Sequence, residues 1–139
     1  MDVVRSELWA IITIRGEADG EPFAGKVAVA RVIRNRMQFR YQSNGTVAGT
    51  VLAPLQFSTW NATSPPRADW ARAQLEDPLT AEAVRAWQAS EKDEEVKDAV
   101  LYHNPAVAPN PQWKASARFI KTIGRHDFYA DPVNDHKEL

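Results

Sequence analysis

The apolar residues of this chain change their spacing near residue 98. Before it they recur at the spacing of helices, whereas "AVLYHNP" and "ARFIKTIGRHDFYA" are short segments rich in β-branched and aromatic residues. Ile123 and Gly124 form a candidate hairpin turn in the second of these segments. Helices that come first and strands that come last are typical of an α+β domain. We therefore predict N-terminal helices followed by a small antiparallel β-sheet.

Two amphipathic helices are predicted at the N-terminus. The first is capped by Asp2 and ends between Gly16 and Gly20; its apolar face consists of Val4, Leu8, Ile11 and Ile12. The second has Pro22 at its first position, and its apolar face consists of Phe23, Val27, Ala30, Ile33 and Met37. Small side chains on the second helix allow another element to pack closely; they are Gly25, Ala28 and Ala30.

Two further helical segments flank a loop. "TVAGTVLAP" predicts a short helix closed by Pro54, and "LQFSTWNATSPPRADW" predicts a loop with embedded aromatic residues. A last helix is predicted from Asp77 to about Glu95, with Thr80 as its candidate cap.

The chain is long enough for one domain. Its 139 residues can bury one core, and 44% apolar with 25% charged residues excludes a disordered or fibrous protein. We assign residues 1–130 to a single domain and residues 131–139 to a polar, loosely ordered C-terminal tail.

Charge and composition exclude several partners. The formal net charge is −1, and the arginines near the second helix are spread around it, so we expect no nucleic acid partner; they are Arg31, Arg34, Arg36 and Arg40. The absence of cysteine excludes disulfides and thiolate metal sites. The apolar stretch from Leu8 to Ile14 is too short to span a bilayer and lacks the flanks of a signal peptide. We therefore expect synthesis in the cytoplasm without a signal peptide, and no stable membrane insertion.

An acidic cluster follows the first helix in "RGEADGEP". Glu17 comes directly after the apolar run and is the acid expected to face inward, while Asp19 and Glu21 lie in the more turn-like part. The cluster is either a polar turn between helices or the site of a carboxylic acid whose proton is used. A glycosidase needs such an acid, protonated near neutral pH at the edge of an apolar environment.

Several blocks of the sequence resemble the SleB-like cell-wall hydrolases, in family order. "EADGEPFAGKVAVARVIRNRM" is similar to the family's Glu-Ala-x-Gly-Glu, Gly-x-x-Ala-Val-Ala and Asn-Arg pattern. "TVAGTVLAPLQFSTWN" resembles its helix followed by Gln-Phe-Ser, "LYHNP" its Tyr-x-Asn-Pro, and "KTIGRHDFY" its Ile-Gly-x-His-x-Phe. These blocks cover most of residues 8 to 129, so the resemblance is more specific than any single motif.

The resemblance implies a peptidoglycan-cleaving catalytic domain with a lysozyme-like or lytic-transglycosylase-like α+β shape. By the same resemblance, the catalytic acid is Glu17, and it acts on the bond between N-acetylmuramic acid and N-acetylglucosamine. With the substrate's own 6-hydroxyl as nucleophile the product is a 1,6-anhydro sugar. The alternative is a hydrolytic muramidase, which needs either a second acid, for which Asp19 or Glu21 is the nearest candidate, or assistance from the substrate's N-acetyl group.

The remaining blocks supply the expected substrate contacts, namely Glu21, Gln56, Ser58, Trp60, Tyr102, Asn104 and His126. Phe57 is expected to pack inward between its polar neighbours. Trp60 either stacks on a sugar or anchors a loop. Glu21 is either structural or substrate-orienting, and His126 is either structural or a weaker candidate contact.

Three other functional predictions complete the sequence reading. A zinc amidase would need His103, His126, Asp127 and His136, but no tight ligand pair such as His-x-x-x-His is present, so we expect no metal and no other cofactor. A glycan-binding module without turnover is a further alternative. We also expect a monomer that acts in phage or prophage lysis, released by a separate holin-type pore protein.

Overall fold

Four helices precede a three-stranded sheet in the computed structural model, which describes residues 5–53, 56–60 and 77–136. The helices are α1 (Leu8–Ala18), α2 (Phe23–Phe39), α3 (Val47–Val51) and α4 (Pro78–Ser90). Two 3₁₀ turns cover Arg5–Glu7 and Ser58–Trp60, and the strands are β1 (Leu101–His103), β2 (Phe119–Ile123) and β3 (His126–Tyr129). The predicted order of helices and then a small antiparallel sheet is confirmed.

Helix α1 contacts each of the other described helices, α2, α3 and α4. Its buried side chains therefore extend beyond one face; they are Ala10, Ile11, Thr13, Ile14, Arg15 and Ala18. The predicted single apolar face is wrong in extent, because Leu8 and Ile12 are only partly buried while polar residues are fully enclosed. Val4 and Asp2 lie outside the described residues.

Helix α2 starts one residue later than predicted. Pro22 precedes it with extended backbone, so the proline is the boundary residue and not the first helical one. Gly25, Ala28 and Ala30 are buried, as the prediction of close packing requires, and α2 packs against both α1 and α4.

Helix α4 is capped by Asp77, whose Oδ1 accepts the Leu79 N–H at 2.8 Å. The predicted cap Thr80 is wrong, since its hydroxyl instead accepts from Arg15 Nη1 at 2.7 Å. The helix also ends at Ser90, short of the predicted Glu95.

Arginines of α2 satisfy the C-terminal carbonyls of α4. Arg34 Nη2 donates to the Trp87 carbonyl at 2.7 Å, and Arg31 Nη1 donates to the Ser90 carbonyl at 3.0 Å. The last four carbonyls of a helix have no backbone N–H partner within it, so the arginines help to satisfy its last turn. The same contacts commit two of the basic residues considered above to structural roles within the fold.

The sheet has the order β1-β3-β2, and both pairings are antiparallel. The hairpin between β2 and β3 turns at Gly124 and Arg125, one residue later than predicted, because Ile123 still pairs with His126. Gly124 has φ +59°, and a Cβ there would lie 2.6 Å from Glu21 Oε1. The turn therefore requires glycine at this position.

Residues 131–136 of the predicted tail contact the domain. Asp131 is buried and accepts the N–H groups of Val133 and Asn134. Arg118 Nε donates to Asp135 at 2.7 Å, and the ring of His136 stacks on Phe39 with centroids 3.8 Å apart. The division of the chain at residue 130 stays a prediction.

Candidate active site

A cleft of about 620 Å³ lies where the end of α1 meets the second half of α2 and strand β1. Its described lining includes Glu17, Gln56, Tyr102 and Asn104, four residues that the sequence singled out, together with Arg36. Because α1, α2 and β1 meet at this cleft, side chains that lie far apart in the sequence come together there.

The Glu17 carboxyl group is held from both sides. Thr59 donates its backbone N–H and its hydroxyl to Oε2, at 3.1 and 2.7 Å, and the Tyr102 hydroxyl donates to Oε1 at 2.7 Å. Glu17 is partly buried and lines the cleft. These donors fix the plane of the carboxyl group at the cleft surface.

Gly16 explains how Thr59 comes so close to helix α1. A Cβ on Gly16 would lie 2.2 Å from Thr59 Oγ1 and 2.9 Å from Thr59 Cβ. Only a residue without a side chain leaves room for this approach. Thr59 was missed by the sequence reasoning, although a glycine inside a helix and directly before the acid is a signal of close packing.

Trp60 holds the 3₁₀ turn that carries Thr59. Its Nε1 donates to Thr13 Oγ1 at 2.7 Å, and its ring lies on Trp9 with centroids 5.3 Å apart. Trp60 is not among the described residues that line the cleft. These contacts support the loop-anchor interpretation, and sugar stacking by Trp60 stays a prediction.

Tyr102 is a neutral hydrogen-bond donor. Burial and then the charge of Glu17 hold the pKa of its hydroxyl well above the ordinary value of 10. Its ring packs edge-on against His126, with centroids 5.0 Å apart, and near Phe128 at 5.5 Å. The sheet thus fixes the direction in which the hydroxyl points.

The structure gives Glu21 and His126 structural roles. Glu21 is 8% exposed and accepts the Arg125 backbone N–H at 2.7 Å and its Nε at 2.9 Å, while Nδ1 of His126 lies 3.3 Å from Oε1. Arg125 also donates to the Gly20 carbonyl at 2.9 Å. Neither Glu21 nor His126 is among the described residues that line the cleft. They join the β2–β3 hairpin to the start of α2, which supports the structural interpretation of both residues, and their substrate contacts stay a prediction.

Acidification is expected to destabilise the fold through this cluster. Burial would raise the pKa of Glu21, but the hydrogen bonds and charge of Arg125 with the charge of His126 bring it below 4.5. Burial lowers the pKa of His126 below 6.5, against the opposing charge of Glu21. In both cases the unfolded chain takes up a proton before the folded one, so stability is lost as pH falls below each ordinary value.

We expect the melting temperature to fall from about pH 7 to about pH 4, with the loss below pH ~6.5 reduced in His126→Gln. Circular dichroism melts across this range measure it, and His136→Gln serves as the matched control. An unchanged slope in His126→Gln would contradict this role.

The other sequence candidates have definite positions. Asn104 lines the cleft, and its Oδ1 accepts the Ala106 N–H at 3.0 Å. Gln56 also lines it and accepts from Arg36 Nη1 at 3.0 Å. Phe57 is 1% exposed, which confirms its inward packing. The side chain of Ser58 lies outside the described residues, as does Pro54.

The described ranges hold no group of three or more acidic or histidine side chains placed to bind a metal ion. His103 Nδ1 lies 2.6 Å from the Ala108 carbonyl, so this histidine fastens the loop after β1. Within the same ranges, no helix combines the length and apolar character needed to cross a bilayer.

Comparison with known proteins identifies relatives along most of the chain. The family model described as Cell Wall Hydrolase matches residues 20–129, a span that begins three residues after Glu17. The spore cortex-lytic enzyme of Bacillus subtilis (strain 168) is 34% identical over 115 residues, which are 83% of this chain and 34% of that protein. That of Oceanobacillus iheyensis is 33% identical over 121 residues, 83% of this chain and 38% of that protein. The chain thus spans about a third of the length of these relatives.

Solved structures agree with the sequence relatives. The catalytic domain of the germination-specific lytic transglycosylase SleB from Bacillus anthracis has a TM-score of 0.69 and 27% identity, covering 91% of this chain and 96% of that one. The catalytic domain of the Bacillus cereus SleB protein has a TM-score of 0.64 and 25% identity, with 92% of each chain covered. Both the lysozyme-like α+β fold and the family resemblance predicted from the sequence are confirmed. This chain therefore belongs to the cell wall hydrolase family and is SleB-like.

Proposed function

We propose that this domain degrades peptidoglycan by cleaving the β-1,4 bond between N-acetylmuramic acid and N-acetylglucosamine, with Glu17 as general acid and then general base. The observation that carries the proposal is the fixed carboxyl group at the cleft: Glu17 is held by Thr59 and Tyr102 and lines a cleft of about 620 Å³. Membership of the family and the names of its relatives support the substrate class.

The lack of a second acid in the described part of the cleft favours the anhydro product. Glu17 is the only carboxylate among the described residues that line the cleft. Asp19 accepts from Arg15 Nε at 2.7 Å, and Glu21 accepts from Arg125, so both of the nearest candidates are bound elsewhere. A hydrolytic enzyme normally needs a second carboxylate, whereas an attack from within the substrate does not.

The reaction then needs one group that gives and takes a proton. Protonated Glu17 donates to the bridging oxygen while positive charge develops on the muramoyl ring. The carboxylate that results accepts the proton of the ring's own 6-hydroxyl, whose oxygen attacks the anomeric carbon and closes the 1,6-anhydro ring. Thr59 and Tyr102 are positioning residues, since they act through Glu17.

Mass spectrometry of the soluble fragments released from purified peptidoglycan tests the proposal. We expect muramoyl ends in the 1,6-anhydro form. Reducing muramoyl ends would overturn this product and show a muramidase, while fragments cut in the peptide stem would replace the glycosidic reaction with an amidase.

Removal of the Tyr102 hydroxyl should slow the reaction without weakening substrate binding. Tyr102→Phe keeps the ring contacts with His126 and Phe128 but removes the donor to Glu17 Oε1. A hydrogen bond to a charged group is worth ~1.5–3 kcal/mol, so we expect kcat to fall by about tenfold or more with KM nearly unchanged. Fragment release at several substrate concentrations measures both constants. A rise in KM at constant kcat would instead indicate direct contact with the sugar.

The biological setting stays the one predicted from the sequence, namely phage or prophage lysis by a monomer that a holin-type pore protein releases. Expression in cells without a pore-forming protein tests the release. The protein should stay inside intact cells, and its appearance outside them would exclude this route.

A further inference from the structure

A buried arginine forms part of the cleft surface. Arg36 of α2 is 3% exposed and lines the same cleft as Glu17. Its Nε donates to the Val100 carbonyl at 2.7 Å, and its Nη1 donates to Gln56 Oε1 at 3.0 Å. Its second terminal nitrogen, Nη2, makes no hydrogen bond with any described residue.

The guanidinium of Arg36 lies against aromatic rings. Its guanidinium carbon lies 4.8 Å from the ring centre of Phe57 and 5.2 Å from that of Tyr41. Throughout the described ranges, no carboxylate lies within ion-pair distance of Arg36. Burial lowers its pKa, and the nearby hydroxyl groups of Tyr102 and Tyr41 and the carboxyl group of Glu17 oppose this shift.

A buried guanidinium without a counter-ion is costly, because its hydration is lost and not replaced by an opposite charge. Arginine is nevertheless always charged in proteins, and its planar fork matches the two oxygens of a carboxylate. A buried cation that has no ion-pair partner among the described residues and keeps a donor group at the cleft is therefore suited to an anionic ligand.

We propose that Arg36 binds a carboxylate of the substrate, an inference that rests on the proposed cleavage of peptidoglycan at Glu17. Each muramoyl residue carries a lactyl ether on C3, two ring carbons from the anomeric carbon that reacts. Where the stem peptide is absent, the lactyl group ends in a free carboxylate; where it is present, the nearest carboxylates belong to the stem. Both sources offer Arg36 the same group, and Glu17 enters the reaction protonated, so the two acids do not repel each other.

The substrate itself provides the first test. Peptidoglycan is compared before and after its carboxylates are converted to neutral methylamides with a carbodiimide and methylamine. We expect kcat/KM of the native chain to fall by about tenfold or more on the blocked substrate, the effect of losing one charge-assisted hydrogen-bonded pair. Equal cleavage of both substrates would overturn a stem carboxylate as the ligand, and equal cleavage of blocked and unblocked glycan from which the stems have been removed would then overturn the role of Arg36. Cleavage of none of these substrates would overturn the proposed function and this inference with it.

A third substrate, from which an amidase has removed the stem peptides, identifies the source of the carboxylate. If this substrate is cleaved as well as the untreated one or better, and blocking it lowers kcat/KM, the ligand is the lactyl carboxylate that removal of the stem sets free. If removal of the stem alone lowers kcat/KM to the blocked level, the ligand is a stem carboxylate. Both outcomes support a carboxylate site.

A matched pair of variants assigns the effect to Arg36. Arg36→Gln should cleave blocked and untreated substrate with nearly equal kcat/KM, because the charge that distinguishes them is gone. Arg34→Gln removes an arginine of the same helix that donates to Trp87 and Ser90 of α4, away from the described cleft lining, and should keep the native preference. A native preference retained in Arg36→Gln would overturn the assignment, and the comparison of native chain on two substrates stands even if this variant does not fold.

Discussion

Glu17→Gln should abolish the release of fragments from peptidoglycan and leave the fold intact. The amide keeps the shape of the side chain: its oxygen can accept from Thr59, and its nitrogen can donate to the Tyr102 hydroxyl, which accepts as well as donates. The amide cannot give and take the proton that the reaction needs. General acid–base catalysis contributes about 10²–10⁴-fold, so we expect kcat to fall by about 10³-fold or more. Mass spectrometry of released fragments measures the loss, and thermal melts check the fold.

Asp19→Asn is the matched control for this prediction. It makes the same change of acid to amide two residues away, where the side chain is paired with Arg15 outside the described cleft lining. We expect nearly native kcat. Activity that survives in Glu17→Gln would reject its assignment as the acid, and a comparable loss in Asp19→Asn would favour the hydrolytic route with two carboxylates.

The order of the fold could be predicted from the sequence because the spacing of apolar residues is a local property. The surroundings of α1 could not be predicted in this way. Thr13 and Arg15 are buried by elements far along the chain, and Arg15 is satisfied by Thr80 of α4. A helical pattern read alone shows which residues share a face but not how many neighbours will cover the helix.

The site was predicted in part, and there is a physical reason why some of its residues were found and others were missed. The resemblance singled out Glu17 and Tyr102, which the structure joins by a hydrogen bond. Thr59 was missed because its neighbours Ser58 and Trp60 are more conspicuous polar and aromatic candidates. Arg36 was considered only as one member of a basic cluster, although its helical spacing from the buried Val29 and Val32 indicates the same buried face.

At Gly16 the residue that would stabilise the helix best differs from the residue that the site requires. Gly16 is exposed within α1, and alanine there should favour the helix by about 1 kcal/mol. However, the added Cβ would lie 2.2 Å from Thr59 Oγ1, closer than any real contact. Thr59 must therefore move away from the helix, and both of its hydrogen bonds to Glu17 Oε2 move with it.

Gly16→Ala should consequently lower kcat by about 10- to 100-fold while α1 remains helical, because the carboxyl group loses up to two charge-assisted donors. Thr59→Gly gives the reference, since it removes the side chain that the added methyl group would strike but keeps the backbone N–H. If the clash is the cause, the double variant Gly16→Ala/Thr59→Gly should have the kcat of Thr59→Gly alone, so that the two changes are not additive. Fragment release by all four chains, with circular dichroism of each, measures this cycle. Additive losses would mean that Gly16 serves the reaction by a route other than Thr59.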